Sequence, residues 1–302
     1  MRERIELLHT EQRNPNTIGI TDMPTLEVLE RFNREDQSVA LAVQAALPQV
    51  AKAVDAIAER MRKGGRMVYA ACGTSGRLGI MDAAECGPTY GIGYEDIICL
   101  MAGGHEAVFR AQEAKEDLPE LGEKALKDFG LTPLDTVVAA AASGRTPYCI
   151  GALDYARSIG ALAVSISCNP GALMSQHADI PIEVDTGAEV IMGSTRMKAG
   201  TSQKMVMNML STGVMVRCGR TCDNLMIFIS ANNGKINNRI IRLFNEATGC
   251  SDPAHAQEML DKANGKLAVA TLMEKSGRSC ADVEDVLTRT ADYREALQML
   301  AK

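Results

Sequence analysis

The feature that most constrains the fold is an alternation between short apolar runs and longer segments of helical spacing. The apolar runs are "RMVYAA" from Arg66, "DIICLMA" from Asp96, "DTVVAAAA" from Asp135, "ALAVSIS" from Ala161 and "DIPIEV" from Asp179. Runs that are apolar on both faces are typical of parallel strands covered by helices on each side. We therefore predict an α/β fold with a five-stranded parallel sheet flanked by helices.

The flanking segments have a different character. Residues 1–38 are predicted to form an irregular arm, because Pro15 and Pro24 exclude a long helix through its first half. Residues 39–250 are predicted to form the sheet-containing domain. Residues 251–302 consist of helical segments without strand patterns, which predicts a small C-terminal helical module.

A helix with one apolar stripe is predicted ahead of the first strand, with Pro48 as its start or a kink. The stripe consists of Val43, Leu47, Val50, Val54, Ile57 and Met61. These residues recur at alternating steps of four and three, so they share one helix face. The stripe offers more apolar surface than one face of a sheet needs, which favours a homodimer.

Composition excludes several classes of protein. The chain has 302 residues, of which 46% are hydrophobic and 23% charged, enough for one large α/β domain and a smaller module. No apolar run approaches the ~18 residues that span a bilayer, and the charged N-terminal sequence lacks the apolar core of a signal peptide. We therefore expect a cytoplasmic protein without a membrane partner. The dispersed net charge of −6 argues against a nucleic-acid-binding surface.

The nine cysteines are predicted to be reduced thiols, because no secretion signal accompanies them. Only Cys218 and Cys222 have the spacing of a ligand pair, no second pair follows, and the four histidines are far apart in the sequence. We expect neither a metal ion nor another cofactor.

Three loops rich in glycine and hydroxyl residues point to a ligand. They are "CGTSGR" from Cys72, "ASGRTPY" from Ala142 and "GSTRMKAGTSQK" from Gly193. Ligands of open parallel sheets bind at the carboxyl ends of the strands. No loop has the Gly-Lys-Ser/Thr ending of a Walker loop or the spacing of a dinucleotide fingerprint. The composition therefore favours a phosphomonoester that is held rather than transferred.

The side chains and backbone of these loops supply the candidate binding residues. They are Thr74, Ser75, Gly76, Arg77, Ser143, Gly144, Arg145, Thr146, Ser194, Thr195, Lys198 and Thr201. Arginine after a turn also serves as a helix cap or an ion-pair partner, so two roles stay open for Arg77 and Arg145.

Longer motifs resemble a known family. They are "TEQRNPNT", "CGTSGRLGIMDAAEC", "ASGRTPY", "SCNPG", "GAEVIMGSTRMKAGTSQKMVMNMLSTG" and "NLMIFISANNGKI". Together they resemble the N-acetylmuramic acid 6-phosphate etherases, which carry a sugar-isomerase (SIS) domain. The resemblance implies a metal-free homodimeric lyase of peptidoglycan recycling. It also implies that the C3 lactyl ether is cleaved to N-acetylglucosamine 6-phosphate and D-lactate.

The reaction that the resemblance implies needs one base and one acid. Once the sugar ring opens, a carboxylate can remove the C2 proton. A second group protonates the departing ether oxygen before water adds at C3. Glu85 in "DAAECGPT" and Glu116 in "AQEAKEDL" match the family's functional glutamates. The resemblance implies Glu85 as the proton donor and Glu116 as the base.

The position of Glu116 poses a geometric question. A residue near the end of the helix after the second strand ordinarily points away from the carboxyl edge of the sheet. Either that helix is short and unusually placed, or Glu116 serves a site across a dimer interface. Likewise, the arm around Arg13 and Asn14 either closes over a neighbouring subunit or is a flexible terminus.

Two other function classes stay open. A sugar-phosphate isomerase of the same fold also removes a C2 proton but cleaves no ether. A non-catalytic sugar-phosphate sensor, similar to glucokinase regulatory protein, carries two SIS domains in a far longer chain. Small departures from the etherase pattern, among them Cys72 and Gly87, lie beside the loops and leave both glutamates unchanged.

Overall fold

The computed structural model of the protein describes residues 5–230 and 234–301. The five strands are β1 (Met67–Ala71), β2 (Ile97–Met101), β3 (Thr136–Ala140), β4 (Leu162–Ser167) and β5 (Ile180–Glu183). They form one parallel sheet in the order β2-β1-β3-β4-β5. The predicted five-stranded parallel sheet is confirmed. The first and last residues of the predicted arm and terminal module, residues 1–4 and 302, lie outside the described residues.

Helices occupy most of the remaining chain. They are α1 (Thr25–Arg62), α2 (Gly73–Tyr90), α3 (Gly104–Phe109), α4 (Pro119–Phe129), α5 (Pro147–Ser158), α6 (Lys198–Arg217), α7 (Gly234–Thr248), α8 (Pro253–Lys262), α9 (Leu267–Ser276), α10 (Cys280–Arg289) and α11 (Tyr293–Leu300). A short antiparallel pair, β6 (Thr221–Cys222) and β7 (Leu225–Met226), follows α6. Within the described residues, none of the helices is both long and apolar enough to cross a bilayer.

The sheet is buried on both faces, as the sequence pattern predicts. Every residue of β1, β3 and β4 is buried. On one face, Val68 and Val137 pack with Leu153 of α5. On the other face, the Tyr69 hydroxyl donates to the Met207 carbonyl oxygen of α6 at 3.3 Å. This two-sided burial explains why the strands read as continuous apolar runs rather than alternating ones.

Helix α1 begins at Thr25, inside the segment predicted to be an irregular arm. The arm prediction is wrong beyond Pro24, because the chain between Pro24 and Pro48 contains no glycine or proline and is free to form a helix. Pro48 lies inside the helix rather than at its start. Val43 and other stripe residues are buried, whereas Leu47 is 41% exposed.

The chain divides into two compact units. The first comprises residues 1–84 and 94–211 and contains the sheet. The second comprises residues 85–93 and 212–302 and has its own apolar core, to which Phe244, Leu272 and Tyr293 contribute. The second unit therefore begins earlier than the predicted boundary at residue 251. Within this unit, α7 packs against α8 and α9.

Candidate functional site

The strand order creates a crevice between β1 and β3. In the order 2-1-3-4-5, the chain leaves β1 toward one edge of the sheet and β3 toward the other. Ligands of doubly wound sheets bind outside the carboxyl ends of the strands at this switch point. The loop before Gly73 leaves β1 and the loop before Pro147 leaves β3, so the first two predicted loops border the crevice.

Helix α2 begins immediately after β1. Gly73 adopts a φ of 50°, which favours glycine, and the Gly76 N–H donates to the Cys72 carbonyl oxygen at 2.9 Å. The Ser75 hydroxyl is buried and donates to Oε1 of Gln203 at 2.7 Å. The N–H groups of the first helical turn lack intrahelical partners and favour an anion. The start of α2 therefore has the chemistry of a phosphate site.

Thr74 connects the first and third predicted loops. A Cβ on Gly200, near the start of α6, would lie 3.4 Å from Thr74 Cγ2. With the bond between Ser75 and Gln203, this contact brings the starts of α2 and α6 together, although they are distant in the sequence.

The loop after β3 forms a tight turn. Gly144 has a φ of 68° and donates its N–H to the Ala141 carbonyl oxygen at 3.0 Å. A Cβ on Gly144 would approach Ala172 Cβ to 2.5 Å, so no larger residue fits. The Ser143 hydroxyl oxygen accepts from the Arg145 N–H at 3.3 Å. Ser143, Arg145 and Thr146 are half-buried at this turn.

Glu116 returns to this same edge of the sheet. Helix α3 has only six residues and one 3-10 turn, Glu113–Lys115, follows it. The Glu116 carbonyl oxygen accepts from the Tyr148 N–H in the first turn of α5 at 3.0 Å. Its carboxylate Oε1 lies 3.3 Å from the position of a Cβ on Gly73. Helix α3 is short, and Glu116 lies at the carboxyl edge of the sheet within its own chain.

The start of α6 already holds an anion from the protein itself. Glu189 is completely buried, and its two carboxylate oxygens accept from the N–H groups of Lys198 and Ala199 at 3.0 and 2.9 Å. Burial raises the pKa of Glu189, although these two hydrogen bonds oppose the shift. The first turn of α6 is therefore satisfied by a side chain rather than left open for a ligand.

Lys198 is directed into the protein as well. Its ammonium group is buried and pairs with Glu35 of α1 at 2.8 Å. Of the other predicted residues of this loop, Ser194 and Thr195 are half-buried, and Thr201 is exposed. The third loop and the start of α6 thus support the crevice through their contacts with Thr74 and Ser75.

Arg77 is held by a neighbouring helix. Its guanidinium donates to the carbonyl oxygens of Val108 and Ala107, at 2.7 and 2.8 Å, at the end of α3. Free carbonyl groups at a helix C-terminus favour such a cation. Of the two roles left open by the sequence, the structure places Arg77 in the helix-capping one.

The N-terminal arm packs on its own chain. Thr10 and Asn169 exchange two hydrogen bonds, and Asn14 donates to Glu35 at 2.8 Å and to the Ala188 carbonyl oxygen at 3.2 Å. His9 pairs with Asp185 at 2.9 Å. The arm is therefore anchored beside the ends of β4 and β5, whereas the sequence alone suggested a neighbouring subunit or a flexible terminus.

Glu85 lies on the exposed surface of α2. Twelve residues separate it from Gly73 in one continuous helix, which at ~1.5 Å per residue is about 18 Å along the helix axis. Its backbone carbonyl oxygen accepts from the Thr89 hydroxyl at 2.7 Å. The two predicted catalytic glutamates thus have different surroundings.

The sequence offered no clear signal for Glu189, Glu35 or Gln203. Each partner of these side chains lies on another element, and in two cases more than 120 residues away.

Hydrogen bonding to Cys149 and burial raise the pKa of Cys72, so this thiol beside the crevice stays protonated. Within residues 5–230 and 234–301, no group of three or more His, Cys, Asp or Glu side chains has an arrangement that suits a metal ion.

The strand order defines a doubly wound α/β fold with a crevice at the switch point between β1 and β3. A crystal structure from Bacteroides fragilis, described as a candidate phosphosugar isomerase, has the same fold with a TM-score of 0.50 and 20% identity. The match covers 66% of this chain and 94% of that chain. The family profile of the glucokinase regulatory protein N-terminal SIS domain matches residues 49–157.

Curated relatives are far more similar in sequence. The N-acetylmuramic acid 6-phosphate etherase of Aeromonas hydrophila is 50% identical over 89% of this chain and 90% of its own. The enzyme of the same name from Clostridioides difficile is 45% identical over 99% of this chain and 98% of its own. The chain belongs to the N-acetylmuramic acid 6-phosphate etherase family.

Proposed function

We propose that this protein is a carbon–oxygen lyase that cleaves the C3 D-lactyl ether of N-acetylmuramic acid 6-phosphate. The products are N-acetylglucosamine 6-phosphate and D-lactate. Identity of 50% to a protein of that name over nearly the whole chain supports the substrate. The observation that carries the mechanism is the Glu116 carboxylate beside the start of α2.

The phosphate is held at the crevice between β1 and β3. Backbone N–H groups at the start of α2 and the hydroxyls of Thr74, Ser143 and Thr146 supply hydrogen-bond donors. The α2 dipole adds a favourable potential for the dianion. Ser75 keeps this turn in place through its bond to Gln203.

Glu116 acts as the base. A carboxylate next to the phosphate-holding turn can reach the C2 carbon of an open-chain sugar phosphate. The hydrogen bond from the Tyr148 N–H to the Glu116 carbonyl oxygen fixes the backbone that carries this base. Removal of the C2 proton is followed by loss of the C3 oxygen and addition of water at C3.

Glu85 acts as the acid in the site of a partner subunit. The C2 proton and the C3 oxygen are neighbours on the sugar, so both groups must work within hydrogen-bond reach of adjacent atoms. About 18 Å of helix separates Glu85 from Gly73, beside which Glu116 lies. A second copy of the chain can overcome this separation, because it can present its own exposed Glu85 to the crevice.

Helix α1 supplies a surface for such a dimer. Val43, a stripe residue, is buried within the subunit, whereas Leu26, Leu29 and Leu41 of the same helix are 70%, 54% and 67% exposed. Large apolar residues grouped on one exposed helix favour association. Sedimentation should show a dimer, and Leu41→Asp should shift it toward the 32.4 kDa monomer. A monomeric wild-type protein at micromolar concentration would refute the dimer.

The activity is tested directly by incubation with N-acetylmuramic acid 6-phosphate and an enzymatic assay for D-lactate. We expect lactate and N-acetylglucosamine 6-phosphate in equal amounts, and the same rate after dialysis against a chelator. A ketose phosphate formed without lactate would identify an isomerase instead. Binding of the sugar phosphate without turnover would identify a sensor.

Mixed dimers test where Glu85 acts. When Glu85→Gln and Glu116→Gln chains are combined, each mixed dimer regains one site with both glutamates only if Glu85 serves the partner. Random pairing in a two-fold dimer then restores about one quarter of the wild-type activity. If both glutamates serve their own subunit, every site lacks one of them and the mixture stays as inactive as its parents.

A further inference from the structure

A cavity of about 710 Å³ lies beside the edge strand β2 rather than between β1 and β3. Residues of β2, α3 and α4 form most of its wall. Its volume falls within the range of roughly 300–1,000 Å³ that is typical of small-molecule sites. The proposed lyase reaction assigns no role to it.

The cavity exists because no helix covers β2 completely. The residues Ile98, Cys99 and Leu100 are half-buried, in contrast to the fully buried β1 and β3. Helix α3 has only six residues, and α4 packs closely on α5 instead. A Cβ on Gly122 of α4 would lie 2.1 Å from the Tyr148 carbonyl oxygen, which shows how close that packing is.

The wall of the cavity is apolar and its exposed rim is charged. Apolar side chains of the wall include Leu100, Met101, Val108, Leu121 and Phe129. The rim carries the exposed residues His105, Lys115, Lys124 and Asp128.

Apart from His105, the rim carries two lysines and one aspartate. Lys124 pairs with Asp128 at 2.6 Å, so these two charges balance. The ammonium group of Lys115 makes no hydrogen bond or ion pair with any side chain in the described part of the protein. A single anionic group on a ligand would complete this rim.

We propose that the cavity is a second ligand site, for a small molecule with an apolar body and one anionic group. The apolar body packs against Leu100, Leu121 and Phe129, and the anionic group pairs with Lys115. Apolar walls with a few placed polar groups are the usual composition of small-molecule sites.

An occupant of this site touches the residues that hold Glu116. Lys115 directly precedes Glu116 in the chain. Tyr148 lines the cavity, donates its hydroxyl to the Leu100 carbonyl oxygen at 3.2 Å, and donates its N–H to the Glu116 carbonyl oxygen. The ligand therefore regulates the base of the crevice. This regulatory part rests on the proposed function, whereas binding does not.

The fluorescent probe 8-anilinonaphthalene-1-sulfonate has the required apolar body and single negative charge. Titration of the full-length protein should give saturable binding of one probe per chain. Ala125→Phe and Leu121→Phe fill the cavity and should abolish this binding. Lys115→Ala should weaken it about tenfold, as expected for one bond to a charged group. Lys52→Ala, an exposed lysine of α1 outside the cavity, is the matched control.

Hydrogen exchange locates the bound probe independently of catalysis. We expect slower exchange in residues 97–108 and 115–129 and at the Tyr148 amide. Binding that is unchanged in both cavity-filling variants, or that never saturates, would overturn the site. A probe that binds as expected but leaves lactate release unchanged in an active enzyme would overturn the regulatory role alone.

Discussion

Helices α2 and α6 begin with similar sequences but differ in what their first turns hold. Both follow loops of glycine, serine and threonine, and both carry the unpaired N–H groups of a helix N-terminus. At α6, the buried Glu189 accepts from the N–H groups of Lys198 and Ala199. At α2, the carboxylate of Glu116 lies beside Gly73 instead.

The contrast shows that the composition of a loop does not by itself decide whether the loop binds a ligand. A protein carboxylate has already taken the anion position at α6, and Glu35 neutralises Lys198 nearby. At the start of α2, the Glu116 carboxylate, which we propose as the base, lies beside Gly73. We therefore expect substitutions near α2 to change catalysis and substitutions near α6 to change stability.

The largest effect should come from Glu116→Gln. Glutamine cannot accept the C2 proton, so both lactate release and exchange of that proton with deuterated water should be lost. Mass spectrometry of the sugar phosphate measures the exchange, and circular dichroism confirms folding. Exchange that continues in this variant would show that Glu116 is not the base.

Glu85→Gln should have the next largest effect. Loss of a general acid typically slows a reaction by ~10²–10⁴-fold, so lactate release should fall by that factor while C2 exchange persists. The same two measurements apply. Exchange lost here but retained in Glu116→Gln would reverse the two roles.

Gly73→Ala should reduce kcat/KM by about 10²-fold, because small misplacements of a catalytic group are costly. The φ of 50° disfavours alanine, and the new Cβ would lie 3.3 Å from Oε1 of Glu116. Gly200→Ala is the matched control at α6, because its Cβ would make an ordinary 3.4 Å contact with Thr74. Equal losses in both variants would contradict the contrast between the two helix starts.

Glu189→Ala should lower the free energy of unfolding by about 1.5–3 kcal/mol, the range for hydrogen bonds to a charged group. Two buried N–H groups lose their acceptor, whereas the α2 turn keeps its donors. Urea unfolding measures the loss, and KM should stay near the wild-type value. A variant of unchanged stability but raised KM would place Glu189 in the substrate site.

The smallest effect concerns pH. Burial tends to raise the pKa of Glu35, but hydrogen bonds from Lys198, Asn16 and Asn14 outweigh it and hold the pKa below its ordinary 4.5. The unfolded chain then binds more protons, so the stability from Glu35 is full above pH 4.5 and is lost as pH falls through the folded pKa. Burial raises the folded pKa of Glu189, so the stability linked to its protonation is full below 4.5 and is lost as pH rises through the folded value, whereas its hydrogen bonds from the Lys198 and Ala199 N–H groups remain.

Urea unfolding midpoints measured between about pH 3 and about pH 7 distinguish the contributions of these two carboxylates to stability. Glu35→Gln should flatten the acid side of the stability profile, and Glu189→Gln should flatten the decline above pH 4.5. Profiles of identical slope in the wild type and both variants would show that neither carboxylate has the predicted shift.

The amino-acid sequence is enough to predict the sheet, its approximate strand bounds and the loops at its carboxyl edge. These features are local: a strand buried on both faces reads as an apolar run, and a tight turn requires glycine. The long motifs also determined the family, since relatives of 44–50% identity share nearly the whole chain. The predicted arm extended past Pro24 because the sequence encodes the boundaries of an element less clearly than its existence.

Tertiary contacts show which of the predicted binding residues are already paired within the protein. The sequence predicts Lys198 as a phosphate ligand, but in the structure Glu35, which precedes it by 163 residues, pairs with its ammonium group. Glu116 reaches the crevice because α3 ends early and the Tyr148 N–H binds its carbonyl oxygen. The physical reason is that burial and pairing depend on neighbours in space, and folding brings together charges that the sequence keeps far apart.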